Sequence, residues 1–184
     1  MLNRRSFILT AAATTLLPIP ALAHKRPFKI AAKYLPQTVA FSGYEPNTIV
    51  VDAAARFLYW VEAPGRARRY GVGVGRAALA WRGKAIIGRK AKWPRWTPTK
   101  NMIRREPNKY ARFRNGVPGG ASNPLGARAL YLYRNGRDTM YRIHGTNQPN
   151  TIGLAVSNGC IRLLNAHVKD LYSRVPVGVE VVVL

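Results

Sequence analysis

Within "IHGTNQPNTIGLAVSNGCIRL", residues 143–163, stands Cys160, the only cysteine of the chain, sixteen positions after His144. A thiol attacks a carbonyl as the thiolate, and a free cysteine, with a pKa near ~8.5, is mostly protonated at neutral pH. It therefore needs a cation or a base beside it, and imidazole is the usual one. The chain has three histidines, His24, His144 and His167. His24 falls near the N-terminus, and His167 lies in a helical pattern, where it reads as a partly exposed residue. Only His144 opens onto a Gly-rich loop that returns to Cys160. Gly145, Gly153 and Gly159 give that loop the freedom to fold back. Gly159 also lets successive N–H groups point one way, as an oxyanion pocket requires. Such a set can carry out nucleophilic acyl transfer. Taken alone, the same two residues also fit a buried, inert thiol and a strand-end histidine, because Cys–His spacings do not transfer between folds. A metal centre is not expected: one cysteine and one well-placed histidine fall short of a tetrahedral set, and no acid lies between them.

The elements that must position these residues can be read from periodicity. Two alternating runs flank Asn135-Gly136, the favoured pair for a type I′ turn, so a hairpin is expected whose second strand ends at His144. "TIVVDAAARFLYWV" (48–61) reads as two strands joined at Asp52–Ala55, and "RARRYGVGVG" (66–75) as a third. Gly71, Gly73 and Gly75 sit in that strand pattern and lack the following helix and distant acid of a dinucleotide fingerprint. "NAHVKDLYSRV" (165–175) predicts a helix with Asn165 as its cap, stopped by Pro176 and Gly178. "VEVVVL" closes the chain as a buried strand. Residues 24–46 have no clear period and read as an extended basic arm. The segment from about 90 to 126 holds five prolines and many cations, with only a short helical possibility around 99–105. A stretch of that kind is usually a functional loop or lid. The expectation is one mainly β domain with a long basic lid and a single short helix near the C-terminus.

Composition narrows the setting. At 47% apolar and 10% aromatic residues the chain can bury a core. Its 30 Lys and Arg against 7 Asp and Glu speak of anionic partners rather than of fold. The N-terminus, "MLNRRSFILTAAATTLLPIPALA", has a basic start, an apolar run and an Ala21-Leu22-Ala23 end, the layout of a bacterial secretory signal cut after Ala23. Arg4-Arg5-Ser6-Phe7-Ile8-Leu9 further resembles a twin-arginine signal. Loss of residues 1–23 removes two arginines and no acid, so the charge falls from +23 to +21. The expected place is the periplasm, where chromosomal DNA is out of reach and cell-wall or other envelope polymers are the anions at hand. A lone cysteine in an oxidising space forms no internal disulfide.

"HGT" followed by "SNGCIRL" resembles the signature of the L,D-transpeptidase catalytic domain, the YkuD-like cysteine transpeptidases of bacterial cell walls. "YGVGVGR", "IGRKAKWPRWTP" and "PGGASNPLGARALYL" look like blocks of its proteobacterial branch, and the likeness runs from about Thr48 to Leu184. It implies a catalytic domain over 47–184 with a β-sandwich or barrel fold. It also implies a Cys160 nucleophile that takes the acyl group of a peptidoglycan stem tetrapeptide as a thioester and releases D-alanine. His144 would be the base, oriented by the Gly145 carbonyl, and Asn158, Gly159 and Cys160 N–H groups the oxyanion donors. Ser157 and Arg162 belong to the motif. Arg162 would hold a substrate carboxylate or tie down its loop, and Thr146 would line the same site. Trp93 and Trp96 would close the lid over the stem peptide or pin that loop to the core. Many members have His where this chain has Asn158. The resemblance implies no cofactor and no nucleic acid, and a monomer is expected.

Overall fold

The computed structural model describes residues 28–184; the stretch read as an export signal and His24 lie outside the described residues. The strands in chain order are β1 (Gln37–Ala40), β2 (Thr48–Asp52), β3 (Phe57–Ala63), β4 (Arg66–Gly71), β5 (Val74–Gly75) and β6 (Gly83–Lys92). After the short helices α1 (Lys100–Arg105) and α2 (Pro107–Tyr110) come β7 (Arg128–Arg134), β8 (Arg137–His144), β9 (Ala155–Ser157) and β10 (Ile161–Arg162). Helix α3 (Asn165–Arg174) and β11 (Glu180–Val183) complete the chain.

Nine strands form one mixed sheet in the order β1-β4-β3-β2-β11-β6-β7-β8-β10, and β5 pairs with β9 beside it. The pairs β2–β11 and β8–β10 are parallel and the other neighbours in the large sheet antiparallel. The sheet turns back on itself. Gly73, just past β4 near one edge, exchanges two backbone hydrogen bonds with Arg162 of β10 at the other edge, at 2.9 and 2.7 Å. A side chain at 73 would break that closure, because its Cβ would fall 2.5 Å from the Thr151 carbonyl oxygen. This closure is what makes the fold barrel-like.

Strand period explains the burial. In β2, Ile49 and Val51 face the main core, while Val50 packs with Val61 and Ala67 on the opposite face under Phe41, Tyr44 and Tyr59. Both faces are covered, which is why the strand is apolar throughout. The β7–β8 hairpin turns at Asn135 and Gly136 with φ of 53° and 73°, the positive pair that a type I′ turn demands.

Several expectations need correction. Among the described residues three α-helices are present rather than one: part of the segment 90–126 is in regular structure, with α1 capped by Thr99 Oγ1 accepting from Met102 N–H at 3.2 Å, followed by α2. Strand β6 runs as far as Lys92, into the stretch read as loop. The arm is not merely extended, since β1 pairs with β4 and Tyr34 packs on Gly71 and Gly153 so closely that a Cβ at either glycine would overlap it. Asn165 does not cap α3. It is the first helical residue, and its Oδ1 accepts from Ala127 N–H at 2.9 Å, tying the helix to the start of β7. His167 is buried, 7% exposed, with its ring 6.5 Å from that of Tyr70.

Helix α3 lies with Val168, Leu171 and Val175 in the core and is held at three points. Asn165 fixes its start. Asp170 accepts from Arg68 at 2.7 Å, Tyr70 at 2.8 Å and Arg174 at 2.9 Å. Lys90 Nζ reaches the last carbonyls, Tyr172 at 2.7 Å and Val175 at 2.6 Å, where the helix dipole favours a cation. Partial burial pushes the Asp170 carboxyl up, yet its three donors bring it below the ordinary carboxylate range. A depressed folded-state pKa means stability that is complete above the unfolded value, about 3.9, and is lost as pH falls through the folded value. Asp170→Asn should cost roughly 1–3 kcal/mol at pH 7, as expected for charge-assisted hydrogen bonds. At about 2–4 °C per kcal/mol, thermal melts at pH 7 and pH 3 should show a gap between the two proteins that narrows at pH 3.

Candidate active site

The site is assembled by a ladder of only two residue pairs. β10 pairs in parallel with β8 in the register Ile161↔Ile143 and Arg162↔His144. With side chains alternating along a strand, Ile143 and Ile161 point into the core, where both are buried. His144, Arg142, Arg162 and Cys160 are left on the opposite face, Cys160 level with Arg142. Strand geometry alone thus gathers a thiol, an imidazole and two guanidiniums.

The turn before β10 is built from its own polar groups. Ser157 Oγ donates to the Cys160 carbonyl at 2.7 Å and accepts from Gly159 N–H at 3.1 Å. The Gly159 N–H, one of the expected oxyanion donors, is therefore already engaged. Gly159 has φ +117°, and the Tyr141 ring lies over it, 2.3 Å from where a Cβ would be. Tyr141 in turn packs against Trp81, with ring centroids 5.9 Å apart.

Asp138 reaches Arg142 because of a bulge in β8. Tyr131 faces Arg142 but Tyr133 faces Asp138, so three residues of β8 oppose Leu132, with Met140 at φ 64°. The extra length swings Asp138 into a bidentate pair with Arg142 at 2.7 and 2.9 Å. Arg162 has no such partner. Its Nη1 donates to Gln148 Oε1 at 3.2 Å, and its Nε has no partner among the described residues.

His144, 4% exposed, directs Nδ1 at the Gly145 carbonyl. A carbonyl only accepts, so Nδ1 carries the proton and Nε2 keeps its lone pair. Burial, the Arg162 guanidinium and then that of Arg142 push the His144 pKa down to about 3, against the pull of the Gly145 and Leu125 carbonyls. Burial pushes the Cys160 thiol up, more than the Arg142 N–H and the two guanidiniums bring it down. Both directions favour a resting thiol and neutral imidazole over a thiolate and imidazolium.

Other expected residues lie differently. Thr146 is buried and accepts from Gln148 N–H at 2.9 Å, shaping the loop. Trp93 is exposed beside Lys169 of α3. Trp96 packs edge-on to Tyr110 and Phe113, so it pins the lid to itself. The lid aromatic that reaches the cysteine turn is Tyr110, whose hydroxyl accepts from Asn158 Nδ2 at 2.8 Å. Sequence reasoning missed Tyr110, Arg76, Arg105, Asp138, Tyr141 and Arg142. Arg142 alone carried a signal, two positions before His144 on a strand.

Comparison with known proteins bears on this arrangement. The model of the YkuD family, the L,D-transpeptidase catalytic domain, matches residues 46–183. The chain belongs to the L,D-transpeptidase catalytic-domain family. ErfK/SrfK of Escherichia coli (strain K12), named a probable L,D-transpeptidase, is 35% identical over 155 residues, covering 82% of this chain and 48% of its own length. The chain spans about half the length of the curated relatives it first matches. A Fuscovulum blasticum protein named for an L,D-transpeptidase in the ATP synthase subunits region is 33% identical over 100% of this chain and 98% of its own. A Brucella melitensis structure, named a probable carnitine operon oxidoreductase, is 57% identical over 84% of this chain and 96% of that one, with a TM-score of 0.59. In the present chain Gly71, Gly73 and Gly75 lie in and beside strands and are followed by a 3₁₀ turn at Ala77–Leu79, not an α-helix. LD transpeptidase LdtMt1, solved in complex with imipenem, shares the fold at 17% identity, TM-score 0.53, over 74% of this chain and 58% of that one.

The charge state of this family site is open to measurement. Alkylation of Cys160 by iodoacetamide should be slow and flat from pH 6 to 8 and rise only above the ordinary thiol range, from which burial lifts it. A fast plateau at pH 6 would reveal a preformed thiolate–imidazolium pair instead.

Proposed function

We propose that this chain is a peptidoglycan L,D-transpeptidase, an acyltransferase that forms 3→3 cross-links between stem peptides through a Cys160 thioester. The observation that carries the reading is the parallel register that sets Cys160 and His144 on one face, with the His144 tautomer fixed by the Gly145 carbonyl.

The steps follow from the neutral pair. Cys160 Sγ attacks the carbonyl of the third stem residue, a diamino acid, as its proton passes to His144 Nε2. The Asn158 and Cys160 N–H groups are the donors proposed for the oxyanion, each of a kind that contributes about 3–4 kcal/mol in other enzymes. Collapse breaks the C–N bond, the amine takes the proton from His144, and D-alanine departs, leaving the thioester. The side-chain amine of a second stem then attacks, passes a proton to His144, and expels the sulfur. Arg162, an unneutralised guanidinium beside the thiol, suits a carboxylate of the donor peptide. Water in place of the amine would make the same enzyme an L,D-carboxypeptidase or amidase, and a loss of all activity would leave a basic wall-binding protein.

Incubation with a carbapenem should add one adduct to the intact mass, absent from Cys160→Ala, and His144→Ala should slow acylation by about 10²–10⁴-fold. Muropeptides should contain 3→3 dimers; trimmed tripeptides alone would assign hydrolysis.

The proposed site of action is the periplasm, reached by the twin-arginine route. Replacement of Arg4-Arg5 by Lys-Lys should stop export, and secretion at the normal level would overturn that route.

A further inference from the structure

Asn158, two residues before the nucleophile, directs its side chain entirely at the lid side of the site. Nδ2 donates to Tyr110, the last residue of α2. Oδ1 accepts from Arg105 of α1 at 2.7 Å and from Arg76 at 3.2 Å. Two guanidiniums thus converge on one neutral amide oxygen. Such an oxygen is a weak acceptor for groups whose planar fork of donors matches a carboxylate.

Their charge is only partly neutralised elsewhere. Glu106, the only acid between residues 90 and 126, lies 3.1 Å from Arg76, 3.7 Å from Arg105 and 3.4 Å from Lys109. Three cations share one carboxylate, so a surplus of two positive charges stands at the rim of the Cys160 turn. The guanidiniums are open to a ligand, with Arg76 48% and Arg105 39% exposed in their side chains. Tyr110 bonds Asn158 at this rim, and the Arg162 guanidinium acts on the thiol from the strand that carries it.

We propose that Arg76 and Arg105 form a carboxylate-binding subsite for the acyl donor, with Asn158 Oδ1 occupying the place of a ligand oxygen. The ligand class is a peptide bearing a free carboxylate on the residue that supplies the scissile carbonyl, apart from the carboxylate of the leaving amino acid. On the transpeptidase reading, the diamino acid of the stem supplies that group when its second carboxyl is free. Asn158 is then a positioning residue that keeps the two arginines aimed while no donor is bound.

The test uses two thiol reagents of nearly equal size, anionic iodoacetate and neutral iodoacetamide, at low ionic strength. Each forms an S–C bond at Cys160 with loss of iodide, and the thiol proton goes to solvent. Any change in the thiol's own reactivity affects both reagents, so the ratio of their rates reports only the surrounding cations. In the double variant Arg76→Gln/Arg105→Gln the iodoacetate-to-iodoacetamide ratio should fall about 5–10-fold. The wild-type preference should fade at about 1 M salt, where the Debye length is near 3 Å. Arg134→Gln, at the distant end of the hairpin, should leave the ratio unchanged. A ratio unaltered in the double variant, or both rates falling together, would overturn the subsite and make the cluster a lid clasp alone. Neither reagent requires acyl transfer. A missing carbapenem adduct with the ratio effect intact would therefore sink the transpeptidase reading alone, and the reverse pattern the subsite alone. For the peptide itself, the double variant should raise KM for a tetrapeptide with the free diamino acid carboxylate about tenfold, and leave the carboxamide form unchanged. Equal losses on both would count against it.

Discussion

Everything chemical in this molecule depends on two residues of parallel pairing, Ile161 with Ile143 and Arg162 with His144. A shift of one position would turn Cys160 and Arg162 into the core and Ile161 outward, because strand side chains alternate. So short a ladder cannot hold its own register. It is locked on its far side by the Gly73–Arg162 hydrogen bonds and at its base by Ile143 and Ile161, both in the main core. The loop that joins β8 to β10 is braced too. Tyr34 from the arm packs on Gly153, and Asn165 Oδ1 lies close against Gly145. Glycines recur around the site because backbone, not side chain, fills the space: a Cβ at Gly75 would meet the Gly159 Cα at 2.7 Å.

The electrostatics follow from where that ladder lies. Burial works against charge on both reacting groups, lowering His144 and raising Cys160, and the neighbouring arginines add to the first effect while opposing the second. A neutral pair results, poised to move one proton as the carbonyl is attacked. A protonated thiol is also a poor target for oxidants, which act on the thiolate. Asp138 neutralises Arg142 through a bulge, while Arg162 keeps its charge, so one of the two guanidiniums under the thiol is structural and the other is available.

Local pattern carried much of this arrangement in the sequence. The Asn135-Gly136 hairpin, strands β2 to β4, the Thr99-capped helix and the C-terminal strand are specified by neighbours within a few residues. What escaped was set by contacts between distant segments. β6 alternates only through Ala85 and Ile87 and is interrupted at Gly88, whose Cβ would strike the Tyr133 ring; its cations disguised the remainder as loop. β1 exists because β4 offers it an edge. Asn165 has the residue type of a cap, but the Ala127 amide, 38 positions away and just before β7, claims its oxygen. His167 is polar by type and buried because α3 lies on Tyr70 and the core. Trp93 and Trp96 drew attention by size, whereas the lid contact is made by the hydroxyl of Tyr110, which no period marks.

The departure at position 158 can then be understood through valence. The family resemblance sets His against Asn158 at this position; a neutral imidazole offers one donor and one acceptor, whereas an imidazolium offers none of the latter. Asn158 must donate to Tyr110 and accept from Arg105 and Arg76 at once, which a carboxamide does with its two ends and its two oxygen lone pairs. A histidine here would leave one of the two arginines unbonded when neutral, and would add a third positive charge to the pair when protonated. A carboxylate would satisfy both guanidiniums but halve the surplus charge and offer Tyr110 no donor. Given Arg76 and Arg105 on either side, the amide is the group that holds both in place while leaving their charge unspent, and that links the choice at 158 to the cations of the lid rather than to the chemistry of the thiol.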